Sequence, residues 1–455
     1  MLSGLWRSSY RAVPDEADTT IGNVADRAVR RIRRRLIPFL AVMYFVAYLD
    51  RVNVGFAALQ MNAALGLSPL DYGRGAGIFF LGYFLFEVPS NLALARVGAR
   101  IWIARIAILW GVVSIGTLFA VGPRSFSAFR FLLGAAEAGF FPGIVLYFTY
   151  WFPARERARA VAQFSMASMA AGIVGAPVSG ALLSLRGAGG LDGWQWLFLI
   201  EGLPAIGLGV IAFLYLDDGP AGARWLPDAE KAWLIGALQE EHDDPRGRRV
   251  SGVRASLLDP GVWRLALVLF LIVTSGYGFS FFLPQIVRRL SGGSNLGVGL
   301  LTAIPFVAGA IGMITVAAHS DATGERRWHV AGCAALAAAG LAASAFTGSP
   351  VVALAALAVG AVGLYSATPP FWSLPTAFLR GAGAAAGIGL INSLGNLGGF
   401  VGPYLMGWTQ GESGDFRVGL RLLAASAICS GVIVLTVRTG TQSATHPRSE
   451  STLRA

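Results

Sequence analysis

The chain has 455 residues, 55% of them hydrophobic and only 13% charged, with a formal net charge of +11 and a mean hydropathy of +0.60. About a quarter of the residues of a soluble domain are charged, so this composition excludes an ordinary soluble enzyme and points into lipid. Its four histidines and two cysteines, Cys333 and Cys429, both inside apolar segments, argue against a metal centre or a disulfide framework.

Twelve apolar segments near the roughly 20 residues that cross a bilayer are expected, close to residues 37–59, 73–95, 102–121, 126–150, 159–184, 195–216, 262–286, 297–317, 329–347, 351–372, 383–409 and 417–437. Gly and Pro interrupt the second, fourth, fifth and eleventh. The basic run before the first segment imitates a secretory leader. It starts 30 residues in, lacks a small-residue cleavage site and is followed by Asp50-Arg51, so it reads as a span. The expected organisation is a tail (1–35), a six-helix unit (36–216), a polar linker (217–261), a second six-helix unit (262–437) and a tail (438–455). Within the linker, residues 228–244 alternate charged and apolar residues at helical spacing, the mark of an amphipathic helix in a solvated connector.

The two halves echo each other. Gly98-Ala99-Arg100-Ile101-Trp102 and Gly324-Glu325-Arg326-Arg327-Trp328 both read G-x-R-x-W, 226 residues apart and after equivalent spans. That placement predicts an internal duplication, a transporter signature. Of the Lys and Arg outside the spans, 25 fall on the face that carries both termini and six on the other. By the positive-inside rule the termini are expected in the cytoplasm, in a multi-pass protein of a cell inner membrane. Topology thus accounts for the basic balance, with no nucleic acid partner.

Charges inside the spans carry the functional signal. Asp50 and Arg51 lie in AYLDRVNVGF, and Arg130 and Glu137 lie in FRFLLGAAEAGFFPG. A charge in a spanning helix costs on the order of 3 kcal/mol, so such residues are functional by default. Arg130 and Glu137 are seven apart and share a helix face, about 10.5 Å apart along the axis; Asp50 and Arg51 differ by about 100° and need not face one cavity. An intramembrane guanidinium presents a fork that matches a carboxylate, which suits an organic anion. Glu137, set among Ala136, Ala138, Gly139, Phe140 and Phe141, fits a proton carrier better than Asp50, which has Arg51 beside it. The competing reading is a permanent ion-pair lock between helices.

Glu87, two residues before Pro89, and Glu201 divide between transport and helix shaping. Tyr83 lies mid-span with a hydroxyl that needs a partner. The second half has no carboxylate inside its spans, only Arg264 and Arg421 near ends. Its polar content is Gln285, Asn392 and Asn396, with Tyr277 and Trp372 alongside. Asn392 and Asn396 are i,i+4 on one face, suited either to hydrogen-bonding a substrate or to bonding between packed helices.

Five segments carry a resemblance: YLDRVNVGFA (48–57), GYFLFEVPSNL (82–92), RFLLGAAEAGFFPG (130–143), GWQWLFLIEGLPA (193–205) and GIGLINSLGNLGGFVGPYLMG (387–407). Over roughly residues 35–437 the chain resembles the major facilitator superfamily. Within it the likeness is to the anion:cation symporter family, which includes bacterial permeases for tartrate, phthalate, 4-hydroxyphenylacetate and sugar acids. The resemblance implies an all-α membrane protein with twelve transmembrane helices in two pseudo-symmetric six-helix bundles around a central cavity, working by alternating access. It implies that Arg51 and Arg130 engage a substrate carboxylate and that Asp50 and Glu137 carry protons. Tyr83 and either Asn392 or Asn396 would be further substrate contacts. The superfamily's 2–3 loop normally has an Asp before its Arg; here that position is Ala95, while the second copy keeps Asp321. Glu87, Arg100, Asp321 and Arg326 are accordingly the gating or structural candidates.

The expectation is therefore a monomeric proton symporter importing a small organic anion, without enzymatic activity, cofactor or metal. Its rivals are an efflux transporter of amphipathic compounds and a membrane solute sensor that moves nothing.

Overall fold

In the computed structural model, residues 16–243, 253–378 and 381–437 are described. The first half contains α1 (Glu16–Val52), α2 (Val54–Ala64), α3 (Pro69–Val97), α4 (Ala99–Gly116), α5 (Pro123–Glu137), α6 (Phe140–Trp151), α7 (Ala154–Ser165), α8 (Ala167–Leu182) and α9 (Gly193–Tyr215). The linker carries α10 (Asp228–Asp243) and α11 (Val253–Leu258). The second half contains α12 (Pro260–Ser291), α13 (Asn295–Thr323), α14 (Arg327–Phe346), α15 (Pro350–Ser366), α16 (Thr368–Phe378), α17 (Gly381–Asn396), α18 (Gly398–Ser413) and α19 (Arg417–Leu435).

Among the described residues eleven helical stretches are long and apolar enough to cross a membrane. The remaining expected span, the eleventh, is built from α17 and α18, pieces of 16 residues each on either side of Leu397. Several other spans are also jointed. The first breaks at Asn53, directly after Asp50 and Arg51. The fourth breaks at Ala138–Gly139, directly after Glu137, where Gly139 takes φ 84°. A Cβ there would run into the Ser90 side chain, so the joint needs glycine for both its conformation and its space. Asp50, Arg51 and Glu137 thus sit next to helix joints, and Arg130 lies two turns before one.

Small residues let the helices approach, as packing in lipid requires. Gly82 and Gly134 bring α3 and α5 into backbone contact, at Phe131 O and Phe79 O respectively. Gly111, Gly202 and Gly209 do the same for α4 and α9.

The extensive contacts between the two bundles lie in the half of the membrane away from the linker. There α3 meets α18 through Gly73, Gly77, Phe80 and their partners Pro403, Phe400 and Gly399. Likewise α8 meets α13 through Ala176, Gly180, Asn295 and Gly299, and Gly55 of α2 meets Phe281 of α12. The Tyr72 hydroxyl locks this face by donating to Phe281 O at 2.8 Å. Toward the face that carries the linker the contacts between the bundles are fewer.

The amphipathic segment of the linker forms α10 as its spacing predicts, but it is docked rather than solvated. Leu234 is fully buried, and Glu230 and Glu241 pair with Arg31 (3.0 Å) and Arg157 (2.9 Å). All these partners belong to the first half, so α10 moves with that bundle.

Candidate functional site

The site grows from the joint in the first span. Successive residues on a helix point about 100° apart, and Asp50 and Arg51 use that difference. Asp50 turns into the first bundle, 2% exposed, where its Oδ1 accepts from the Ser114 hydroxyl and from Asn53 Nδ2 at 3.2 Å. Arg51 turns toward the second bundle. Its Nη2 donates to Glu137 Oε1 at 2.6 Å, and its Nη1 donates to the Tyr277 hydroxyl at 3.3 Å. The Arg51 side chain keeps 12% of its surface exposed, against 3% for Glu137.

Arg130 is brought to the same place but treated differently. It is fully buried, and none of its three guanidinium nitrogens has a hydrogen-bond partner among the described residues. It lies within electrostatic reach of Asp50, Glu137 and Arg51. Both cations approach the Phe79 ring, with the Arg51 and Arg130 guanidinium carbons at 5.2 and 5.1 Å from its centroid. An aromatic face attracts a cation, and one ring here serves two. Tyr83, one turn on, offers its ring to Arg51 at 5.6 Å and is itself nearly buried. Phe79 escaped the sequence reading; its only signal was the i,i+4 spacing to Tyr83 opposite an intramembrane arginine.

Glu87 and Asn392 meet across the bundles. Asn392 Nδ2 donates to Glu87 Oε1 at 2.7 Å, and the Ser393 hydroxyl donates to Oε2 at 3.4 Å. These bonds lie nearer the linker face than the other named contacts between α3 and the eleventh span. Asn392 is therefore occupied by a carboxyl group in this state. Asn396, half-buried at the end of α17, makes no hydrogen bond among the described residues.

The remaining candidates lie outside this centre. Arg100 makes no ion pair among the described residues. Its backbone N–H donates to Asp218 Oδ1 at 2.8 Å and its guanidinium lies over Phe213. In the second copy Asp321 pairs with Arg326 at 2.7 Å, and Arg326 also donates to the Ser320 hydroxyl. Glu201 is buried on α9 and accepts from Ser179 at 2.8 Å. Among the described residues no group of three or more His, Cys, Asp or Glu is placed to hold a metal.

Residues 40–403 match the profile of the Major Facilitator Superfamily. A protein of Agrobacterium vitis named "Putative tartrate transporter" is 48% identical over 93% of this chain and 94% of its own length. The "Quinolone resistance transporter" of Acinetobacter baumannii is 43% identical over 87% of this chain and 91% of its own. A solved bacterial homolog of the human lysosomal transporter Spinster, inward-facing and occupied, superposes with a TM-score of 0.72 at 19% identity. It covers 89% of this chain and 96% of that one, a likeness of fold. By its profile, its full-length relatives and its jointed helical halves, the chain belongs to the major facilitator superfamily and is a membrane transporter, not an enzyme.

Proposed function

We propose that this transporter imports a small organic anion, a carboxylate of the tartrate, aromatic-acid or sugar-acid kind, together with protons. The observation that carries the reading is Arg51, a partly exposed guanidinium at the junction of the bundles, held by Glu137 with the unpaired Arg130 behind the same phenylalanine. Arg130 adds a second guanidinium whose donors are unspent among the described residues, as recognition of a carboxylate requires. The tartrate-transporter name of a relative 48% identical supports the same substrate class. The excess of basic residues on the linker face supports placing that face in the cytoplasm.

The cycle follows from competition for one guanidinium. With the far face open, a proton on Glu137 removes the charge-assisted bond to Arg51, which is then free to take the substrate carboxylate bidentately. The bundles rock, the linker face opens, and Glu137 gives its proton to the cytoplasm. Its carboxylate reclaims Arg51 at the observed 2.6 Å, and the anion leaves. Proton and anion favour each other's binding by the same factor, as linkage requires. Asp50 serves as the second proton carrier, and Tyr83 and the Asn392–Asn396 face complete the pocket.

The test is uptake into proteoliposomes with an alkaline lumen, using labelled tartrate and a panel of mono- and dicarboxylates as competitors. Wild-type protein should accumulate one of them against its gradient. Glu137→Gln should lose that accumulation yet retain counterflow exchange. Energised movement of a quinolone with indifference to every carboxylate would favour the efflux reading, to which the 43% identical relative lends its name.

A further inference from the structure

The cycle above leaves one buried carboxyl without a task. Glu201 is 2% exposed on α9, and Ser179 of α8 donates to its Oε1 at 2.8 Å. Asn53, at the joint of the first span, lies near enough to act on it electrostatically, with no direct hydrogen bond between the two in this state. Asn53 Nδ2 meanwhile donates to Asp50 Oδ1, which also accepts from Ser114. A polar chain Ser179–Glu201–Asn53–Asp50–Ser114 therefore crosses the apolar interior of the first bundle, drawing on the fifth, sixth, first and third spans.

No Lys or Arg forms an ion pair with Glu201 among the described residues. Asp50, Asn53 and Ser179 are the polar groups that bear on it, and Gly111 and Ile115 of the third span lie against the adjoining Gly202. Two buried acceptors, Glu201 Oε2 and Asn53 Oδ1, lack a donor among the described residues. A proton on Glu201 would make one of them a donor.

Beyond Ser179 lies a void of about 10 Å³ between the bundles, lined also by Ser280, Thr302 and Phe306. That is room for about one water, and the Thr302 hydroxyl has no partner among the described residues. The void lies in the seam between α8 and α13, which must part when the far face opens.

We propose that Glu201 is a proton-holding group loaded from the far face across Ser179, and that Asn53 passes its charge state to Asp50. This inference rests on the proton-symport reading above. When the seam parts, the Ser179 hydroxyl gives its proton to Glu201 and takes one from a hydronium arriving from the far face, which is left as neutral water; no other bond changes. Neutral Glu201 then donates to Asn53 Oδ1, and Nδ2 stays on Asp50. Ionised Glu201 instead draws an amide N–H to itself and sets a second negative charge beside Asp50, so the two carboxyls titrate as a pair. Glu201 is thus a positioning residue for proton coupling, remote from the substrate.

Initial uptake by the reconstituted full-length protein is measured against far-face pH, with the pH at the linker face fixed. For Glu201→Gln the order in external protons is expected to fall by one relative to wild type, while counterflow reports that the protein is folded. Infrared difference spectra of wild type should show a carboxylic-acid C=O band that Glu201→Gln loses. Transfer to heavy water should shift that band, more slowly in Ser179→Ala, a small change that leaves the carboxyl in place. An unchanged proton order, or a band that survives Glu201→Gln, overturns the inference while leaving symport intact. Wild-type uptake indifferent to far-face pH, with no proton accompanying the anion, would instead break the symport reading itself.

Discussion

The first bundle buries Asp50, Glu87, Arg130, Glu137 and Glu201 in the interior of its spans and half-buries Arg51. The second bundle offers neutral groups at comparable depth, such as Tyr277, the bonded pair Ser280–Tyr365, and Asn392. Yet the halves carry the marks of one duplicated unit. Arg51 and Tyr277, hydrogen-bonded across the interface, are 226 residues apart, the same offset that separates the two G-x-R-x-W copies. One copy has kept or acquired ionic chemistry, and the other presents a phenol to the same spot. Confining the charges to one half lets the second bundle rock without breaking ion pairs, since the named bonds that cross at this depth are those of Arg51 with Tyr277 and Glu87 with Asn392 and Ser393.

The largest effect should separate two arginines that share a ring. Arg130 is buried without a hydrogen-bond partner among the described residues, so Arg130→Met should lower the melting temperature less than Arg51→Met does, since it breaks no charge-assisted hydrogen bond. Its transport should nevertheless fall by on the order of 100-fold, within the 2–5 kcal/mol lost when a desolvated charge contact is truncated. Arg51→Met should lose transport to the same degree and also destabilise, by about 3–5 kcal/mol, because it orphans Glu137. Adding Glu137→Gln should restore the melting temperature but not transport. Equal destabilisation by both single variants would show that Arg130 is a structural tie like the others in its bundle.

Across the interface the expected effect is smaller. Tyr277→Phe removes one hydroxyl whose bond to Arg51 is 3.3 Å long. A net loss of about 0.5–1.5 kcal/mol corresponds to a KM rise of roughly two- to tenfold with little change in maximal rate. A loss as deep as that of Arg51→Met would mean that the neutral bundle shares the chemistry and would dissolve the contrast.

Much of the architecture was legible because lipid imposes a coarse code. Apolar length marked eleven of the twelve expected spans among the described residues, and the repeated G-x-R-x-W pointed to two related halves. The joints were harder to read: Gly139 after Glu137 was visible as a glycine, but its positive φ and the closeness of Ser90 on another helix were not. The charged residues announced themselves, and their grouping did not. That Asp50 would turn away from Arg51 to Ser114, and that Phe79 would take two cations against its ring, depends on helices that are distant in the chain. Asn392 read as a neutral contact for a ligand, whereas its partner Glu87 lies 305 residues away, beyond any local pattern. The docking of α10 was likewise hidden, because charge alternation alone does not distinguish a solvated helix from one whose apolar face has found a bundle.

The smallest effects concern the two loops that carry the repeated motif. In the second copy Asp321 pairs with Arg326, but its side chain is 72% exposed. In the first copy the corresponding residue is Ala95, and the loop is held from elsewhere: Asp218, at the start of the linker, accepts the Arg100 backbone N–H and so caps α4. A cap is worth about 1 kcal/mol and an exposed ion pair about 0–1 kcal/mol. Asp218→Ala should therefore lower the melting temperature more than Asp321→Ala, although Asp321 is the residue that fits the motif. Ala95→Asp, which restores the motif to the first copy, should gain no more than an exposed pair gives. If Ala95→Asp fully rescued Asp218→Ala, the two loops would be interchangeable devices. Partial or no rescue would mean that the first bundle has handed the task of fixing this loop to the linker, in keeping with an α10 that is docked on that bundle.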